Sequence, residues 1–287
     1  MAAVRIVTDS THYLPGELVA RHDLDVVSLY VNEDGATVRE SELTDLDAFY
    51  DRLRGARGLP TTSQPSLGGF LAIYEPLLAA GHDIASVHIT AGISGTAETA
   101  RQAAAEALAA HPGRRVEVID SGSTAGGLAM VVLSALAAAR DGGDVEAVAA
   151  RAGEARAAAR TWFAVDTLEF LRRGGRIGAA QALLGSALKI KPILTMRGEV
   201  LPIERVRTSG RAFERLVEYA RELKETGSDA WLVQHIQAPE QAAALEARVT
   251  ELFGHGPFCT SEMGPVVGAH IGPGLLGVGG LPARLLA

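Results

Sequence analysis

Ile84-Ala85-Ser86-Val87-His88-Ile89, then Thr90-Ala91-Gly92-Ile93-Ser94-Gly95-Thr96, an alanine-rich run to Ala110, and Val116-Glu117-Val118-Ile119 form the stretch from which the fold can be read. Its outer segments are short apolar runs of strand length, and residues 95–110 carry helical spacing between them. Outward toward the N-terminus the pattern repeats. Val4–Thr8 reads as a strand, Pro15–Arg21 as a short helix, Val26–Val31 as a strand, and Leu46–Leu53 and Gly68–Ala80 as helices. Toward the C-terminus, Thr124–Arg140 and Val145–Ala158 complete this half as two helices. Alternation of this kind predicts an α/β domain with a mostly parallel sheet covered on both faces.

Beyond residue 160 the pattern changes. Thr161–Val165 and Ile190–Thr195 read as strands, Arg197-Gly198-Glu199 as a tight turn, and Val200–Arg205 as the returning arm of a hairpin. Ser209–Glu225 and Glu240–Leu252 read as helices, and Ala230–His235, Phe258–Thr260 and Val266–His270 as strands. We therefore expect two domains, an α/β unit over residues 1–160 and a mixed α+β unit over 161–287.

The chain has 287 residues, enough for one large core or two modest ones, and only 5% are aromatic, so aliphatic side chains and alanine must fill them. A formal net charge of −7 argues against nucleic-acid binding, which needs a phosphate-neutralising surface. Of 27 basic residues only Lys189, Lys191 and Lys224 are lysine, a bias that reads as genomic composition before chemistry. Cys259 is the sole cysteine, which rules out an intrachain disulfide and a multi-cysteine metal site and points to a cytoplasmic location. The histidines are scattered, and none pairs with another at helical spacing, so no metal centre is expected. The start, Met1 to Val7, reads as a strand and not as a leader. The longest uncharged stretch, Ser121 to Ala139, is rich in Gly, Ser and Ala and suits a buried helix better than a membrane span.

Four polar patches fall at strand ends or between elements, where α/β proteins place ligands. Thr61-Thr62-Ser63-Gln64-Pro65-Ser66 reads as a loop whose Ser66 caps the next helix, or as a row of donors to an oxyanion. Ser94-Gly95-Thr96 sits at a strand-to-helix turn, where Ser94 can cap the helix and free N–H groups can meet an anion. Gly268-Ala269-His270-Ile271-Gly272-Pro273-Gly274 rings a histidine with glycines; such a residue on an apolar strand is either a satisfied core histidine or a ligand. The run from Gly272 to Gly277 spells G-x-G-x-x-G, but Pro273 and the few residues that follow deny it the helix, strand and acid that dinucleotide binding requires. The fourth patch is basic: Arg172, Arg173, Arg176, and later Arg205, Arg207 and Arg211. It reads as a solvated rim or as a docking surface for an acidic or phosphate-bearing partner. Ser94 and His270 could instead serve a small-molecule hydrolase or transferase, yet Gly92-Ile93-Ser94-Gly95-Thr96 lacks the last glycine of a nucleophile elbow. Asp9 and Asp120, each ending a strand, could orient a histidine or accept backbone N–H groups.

Seven segments, in order, resemble the DegV family of bacterial fatty-acid-binding proteins: Val7-Thr8-Asp9-Ser10, Thr62-Ser63-Gln64-Pro65-Ser66, Ser94-Gly95-Thr96, Val118-Ile119-Asp120-Ser121, Gly174-Gly175-Arg176, Lys189-Ile190-Lys191-Pro192 and His270-Ile271-Gly272-Pro273-Gly274. The resemblance implies a two-domain protein with one long-chain fatty acid in a tunnel between the domains. It places the carboxylate on Thr62, or alternatively Ser63, with Ser94 and His270; the reading of the strand-to-helix turn adds the backbone at Gly95 and the Thr96 hydroxyl as ligand-binding candidates. It also implies no cofactor, and a separate ATP-dependent fatty acid kinase as partner, which makes acyl phosphate for phospholipid synthesis. Arg205 and Arg207 lie where the kinase-contacting arginine is expected, and Arg176 joins them as a docking candidate. One departure stands out: Thr90-Ala91-Gly92 occupies a region where two serines are usual.

Overall fold

β1 (Val4–Asp9) opens the chain and leads through a short turn to α1 (Gly16–Arg21) and β2 (Asp25–Val27). β3 (Tyr30–Glu33), β4 (Ala36–Arg39), α2 (Leu46–Gly55) and β5 (Thr61–Ser63) follow. Next come α3 (Leu67–Ala79), β6 (Asp83–His88), α4 (Thr96–Ala110), β7 (Val116–Asp120), α5 (Ala125–Arg140) and α6 (Val145–Ala158). The remainder is β8 (Arg160–Ala164), α7 (Glu169–Arg173), β9 (Lys191–Arg197), β10 (Glu199–Val206) and α8 (Ser209–Glu225). β11 (Ala230–Ile236), α9 (Pro239–Phe253), β12 (Cys259–Glu262), α10 (Pro265–Ile271) and β13 (Leu275–Leu281) complete it. This computed structural model describes residues 3–55, 58–184 and 190–287; Met1, Ala2 and Lys189, which the sequence reading used, lie outside the described residues.

The expected parallel sheet is present, in the order β2-β1-β6-β7. Every residue of β6 is buried, which is why its sequence is nearly continuous in apolar character. Neighbouring residues face opposite layers: Val7 and Ile84 pack with Phe70, Tyr74 and Leu78 of α3, while Ile6, Ala85 and Val87 pack with Leu128, Val131 and Val132 of α5. α5 lies between this sheet and a second one, touching β1 and β6 on one side and β8, β11 and β13 on the other. A helix sandwiched in this way has no solvent face, so its run of Ala, Gly, Leu and Val is a packing requirement. At Gly126 a Cβ would lie 2.8 Å from Leu232 Cδ1, so glycine sets how closely helix and sheet approach.

The second sheet is mixed, in the order β10-β9-β8-β13-β11-β12, with only the β11–β12 pairing parallel. The β9–β10 hairpin turns at Gly198, whose φ of 76° is the left-handed value a tight turn needs. α8 and α9 cover one face. No helix among the described residues is long and apolar enough to cross a membrane.

Several expectations are corrected. Val266–His270 is not a strand but lies within helix α10. The β-branched pair Val266-Val267 suggested a strand, yet Pro265 stands at the first helical position and Glu40 accepts the Val266 N–H. The strand expected over Val26–Val31 is two strands in different sheets, β2 and β3. Thr61–Ser63 is not a loop but β5, which pairs antiparallel with β3 in a small sheet ordered β4-β3-β5. The glycine-rich C-terminal strand β13 is central to the mixed sheet, where a Cβ on Gly279 would sit 2.9 Å from Arg160 O. Apart from these corrections, Leu29, Val31, Phe49, Tyr50 and Leu53 share one core with Phe163, Val165, Leu171, Val266 and Leu275, so packing runs between the two halves of the chain.

Candidate functional site

β5, the turn after β6, the turn after α7 and helix α10 converge on one cavity of about 620 Å3. Thr62, Ser63, Ser94, Gly95 and His270 all line it, bringing the first three sequence patches together. Side chains alternate along β5, so Thr62 and Ser63 point to opposite faces. Thr62 Oγ1 lies 2.8 Å from His270 Nε2, whereas Ser63 Oγ accepts from Asn32 Nδ2 at 3.4 Å. Ser94 Oγ is 2.8 Å from Thr96 Oγ1 and also accepts the Thr96 N–H. Thr96 is fully buried and holds Ser94 in place without lining the cavity. Among the described residues Ser94 pairs with Thr96 and His270 with Thr62, and Ser94 makes no hydrogen bond to His270.

Gln64 ties the first two patches together. Its amide donates to Thr99 Oγ1 on α4 at 3.0 Å and lies so close to Gly95 that a Cβ there would be 2.5 Å from Gln64 Oε1. In the sequence this glutamine reads as one of a row of donors to an oxyanion, not as a brace between two patches. The T-S-Q-P run held the signal, since an amide can both donate and accept.

Burial, with Arg176 nearby, pushes His270 down to about 4, so its imidazole is neutral at ordinary pH. Its Nδ1 faces Gly174, where a Cβ would stand 2.5 Å away, and has no hydrogen-bond partner among the described residues. The glycine before Arg176 thus makes room for the ring. Arg176, a docking candidate from sequence, is half-buried on the cavity wall, with Nη1 donating to Gly174 O at 2.7 Å. The described wall carries this guanidinium and no carboxylate. The site is therefore cationic, not only a set of neutral donors.

Behind these groups the cavity meets an apolar one of about 460 Å3, and the two share Thr124, Met196, Val267 and Ile271 as wall. Phe163, Leu232, Met263 and Leu275 continue its lining beneath the N-terminal end of α5. The pair of cavities offers a polar end and a greasy interior, the arrangement suited to an amphiphile.

Residues far from these motifs hold α10. Glu40 Oε1 accepts the Val266 N–H at 2.8 Å and the Tyr13 hydroxyl at 2.7 Å, and its other oxygen accepts from Ser10. Burial outweighs these bonds and leaves Glu40 with a raised pKa. Tyr50, fully buried, donates to Met263 O at 2.8 Å. In sequence Glu40 sits in an Arg-Glu-Ser-Glu run that looks like ordinary surface, so no local signal marked it.

Asp9 does meet a histidine, but His88: the Asp9–His88 contact is 3.1 Å, His88–Ser86 is 2.6 Å and Ser86–Tyr74 is 2.6 Å. These side chains are fully buried and line none of the cavities described, so this chain is structural. Asp120 accepts the Gly122 and Ala91 N–H groups, the turn role expected of it. Arg205 and Arg207 are exposed on and just beyond the edge strand β10, without a hydrogen bond or ion pair among the described residues. Val200, at the other end of β10, lines the cavity; Arg205 is five steps along the strand from it, roughly 17 Å. No group of three or more potential metal ligands occurs among the described residues.

The chain is similar to known proteins along nearly its whole length. The family model described as "Uncharacterised protein, DegV family" matches residues 3–283. A DegV domain-containing protein of Streptomyces coelicolor is 40% identical over 96% of this chain and 97% of its own. Among solved structures, one described as fatty acid binding of a DegV family protein from Thermus thermophilus superposes with a TM-score of 0.87 at 36% identity, covering 98% of this chain and 99% of that one. The structure of DegV, a fatty acid binding protein from Bacillus subtilis, superposes with a TM-score of 0.86 at 33% identity, covering 98% and 100%. With a matching model along nearly its whole length and relatives of this closeness, the chain belongs to the DegV family.

Proposed function

We propose that this protein binds one long-chain fatty acid, with the carboxylate at the Thr62–Ser94–His270 end and the acyl chain in the apolar cavity, and presents it to a separate ATP-dependent kinase that forms acyl phosphate. The observation that carries the reading is the Thr62–His270 pair, placed where a polar wall gives way to an apolar interior. That two structurally similar relatives are described as binding fatty acids supports it. A chain of about 14 methylenes contributes roughly 11 kcal/mol on burial, before ordering costs. Affinity comes from the tail, and the head needs only orientation.

The protons can be assigned. A buried N–H without an acceptor is rarer than an acceptor without a donor, so His270 Nδ1 carries the lone pair and Nε2 the hydrogen. Nε2–H then donates to Thr62 Oγ1, which frees the Thr62 hydroxyl to donate to a carboxylate oxygen. Thr96, buried, donates to Ser94 and frees the Ser94 hydroxyl for the same ligand. Arg176 supplies the balancing charge from the wall. The chain itself breaks no bond in this scheme: the kinase moves the phosphoryl group from ATP to the presented carboxylate oxygen. Arg205 on the edge strand β10 and Arg207 just beyond it, both exposed and without an ion pair among the described residues, are the docking contacts for that enzyme.

Solvent extraction of purified protein followed by mass spectrometry tests the ligand. Stoichiometric fatty acid is expected, and a protein that neither carries nor takes up fatty acid refutes the reading. Replacing Ser94 and His270 together by alanine should abolish acyl phosphate formation with the fold intact; normal turnover would refute the head-group assignment.

A further inference from the structure

Arg156, Arg160 and Arg197 line a third cavity of about 750 Å3, together with Ser121, Gly122 and Ser123. It shares Gly127, Thr161 and Met196 with the apolar cavity, and Met196 borders all three. The apolar space therefore adjoins two polar ones, and only the first has a role so far.

The chemistry of this second end is different. Arg160 Nη1 is held by the carbonyls of Ala157, Ala158 and Ala159 at 2.7, 3.1 and 3.0 Å. Arg156 Nη1 donates to Asp120 O at 2.9 Å. Arg197 has no hydrogen bond or ion pair among the described residues. Among the described residues no carboxylate forms an ion pair with any of the three, and both side-chain oxygens of Asp120 accept backbone N–H groups. Arg160 and Arg197 line the same cavity, and Arg160 is pushed below its ordinary value, first by burial and then by the like charge of Arg197. Two of the guanidinium groups are thus fixed by backbone carbonyls, with N–H groups to spare and no ion-pair partner among the described residues. An anion placed there gains charge-assisted hydrogen bonds and loses little side-chain entropy.

We propose that this cavity is a second carboxylate site, so that the protein accepts acyl ligands with an acidic group at each end, the class of long-chain α,ω-dicarboxylic acids. The proposal rests on the reading of the His270 end as the seat of the first carboxylate. Met196, unbranched and flexible, is the side chain that shifts to let a chain run from one end to the other.

The test is calorimetric titration of full-length protein with a homologous series of long-chain α,ω-dicarboxylic acids and their monocarboxylic counterparts. Arg197→Gln is the cleaner variant, since this side chain is exposed and has no partner among the described residues; Arg160→Gln/Arg197→Gln is the stronger one, with circular dichroism as the check on folding. Dicarboxylate affinity should peak at one chain length and fall about tenfold in Arg197→Gln, and further in the double variant, while monocarboxylate affinity stays within about twofold. Equal dicarboxylate affinity in wild type and Arg197→Gln overturns the proposal. So does inorganic phosphate binding at the arginines without any gain for dicarboxylates, which would mark a simple anion site. Loss of monocarboxylate binding in the arginine variants would put the ordinary head group at this end and overturn both readings. Failure of the wild type to bind monocarboxylates while it still binds dicarboxylates overturns the functional reading alone, and failure to bind either overturns both.

Discussion

Replacing Glu40 tests how α10, and with it His270, is held. Glu40→Ala leaves the Val266 N–H, the Tyr13 hydroxyl and the Ser10 hydroxyl without their acceptor. An unsatisfied buried donor costs about 1–3 kcal/mol, so three would cost several. Glu40 also borders an open cleft beside Ser10 and Tyr13, where water can replace part of the loss, which brings the expected cost to about 2 kcal/mol. Glu40→Gln behaves differently. It keeps one acceptor oxygen for Val266 and Tyr13, and its amide can donate to Ser10. Because the folded pKa of Glu40 is raised, its contribution to stability is full below the unfolded value, near 4.5, and is lost as pH rises through the folded value. The neutral glutamine escapes that loss. Urea denaturation at several pH values should therefore find Glu40→Gln at least as stable as wild type at neutral pH, with a flatter pH profile. Glu40→Ala should be destabilised throughout and weaker for fatty acid. Equal destabilisation by both variants would mean that the charge, and not the acceptor geometry, holds the helix, and would refute the reasoning.

Gly268→Ala should disturb the same helix from its other side, because the new Cβ would lie 2.2 Å from Tyr50 Oη; a loss of about 1–3 kcal/mol in chemical denaturation, with reduced ligand affinity, is expected. His270, pushed down to about 4, is neutral in the folded state while the unfolded chain takes its proton near 6.5. Its contribution to stability is therefore present above about 6.5 and lost as pH falls toward 4, and His270→Gln should flatten the stability profile in that window. Reversing charge with Arg205→Glu/Arg207→Glu should leave fatty acid affinity within about twofold yet lower kinase turnover at least tenfold at low salt, as measured by acyl phosphate formation.

The fully buried β6, the sandwiched α5 and the amphipathic α8 were all legible because burial leaves a periodic trace within a dozen residues. The hydroxyl and imidazole groups of the site were legible too, as short polar interruptions at element ends. Gln64 and Arg176 lay within the quoted motifs but took other roles there: one braces Gly95, and the other reaches the cavity wall. Glu40, Tyr13 and Tyr50 had no comparable trace, since each acts on a helix more than 200 residues away in sequence.

By itself, then, the sequence determined the class of fold, the order of most elements and the residues that meet at Thr62 and His270. Tertiary structure alone decided that Val266–His270 is helical, that a glycine-rich strand sits in the middle of the mixed sheet, and that residues 29–53 pack with the C-terminal half. The reason is physical. Periodicity and capping act between near neighbours and are written locally, whereas a buried carboxylate accepting the N–H of Val266, or a backbone close enough to require Gly279, depends on partners that only the folded chain brings together.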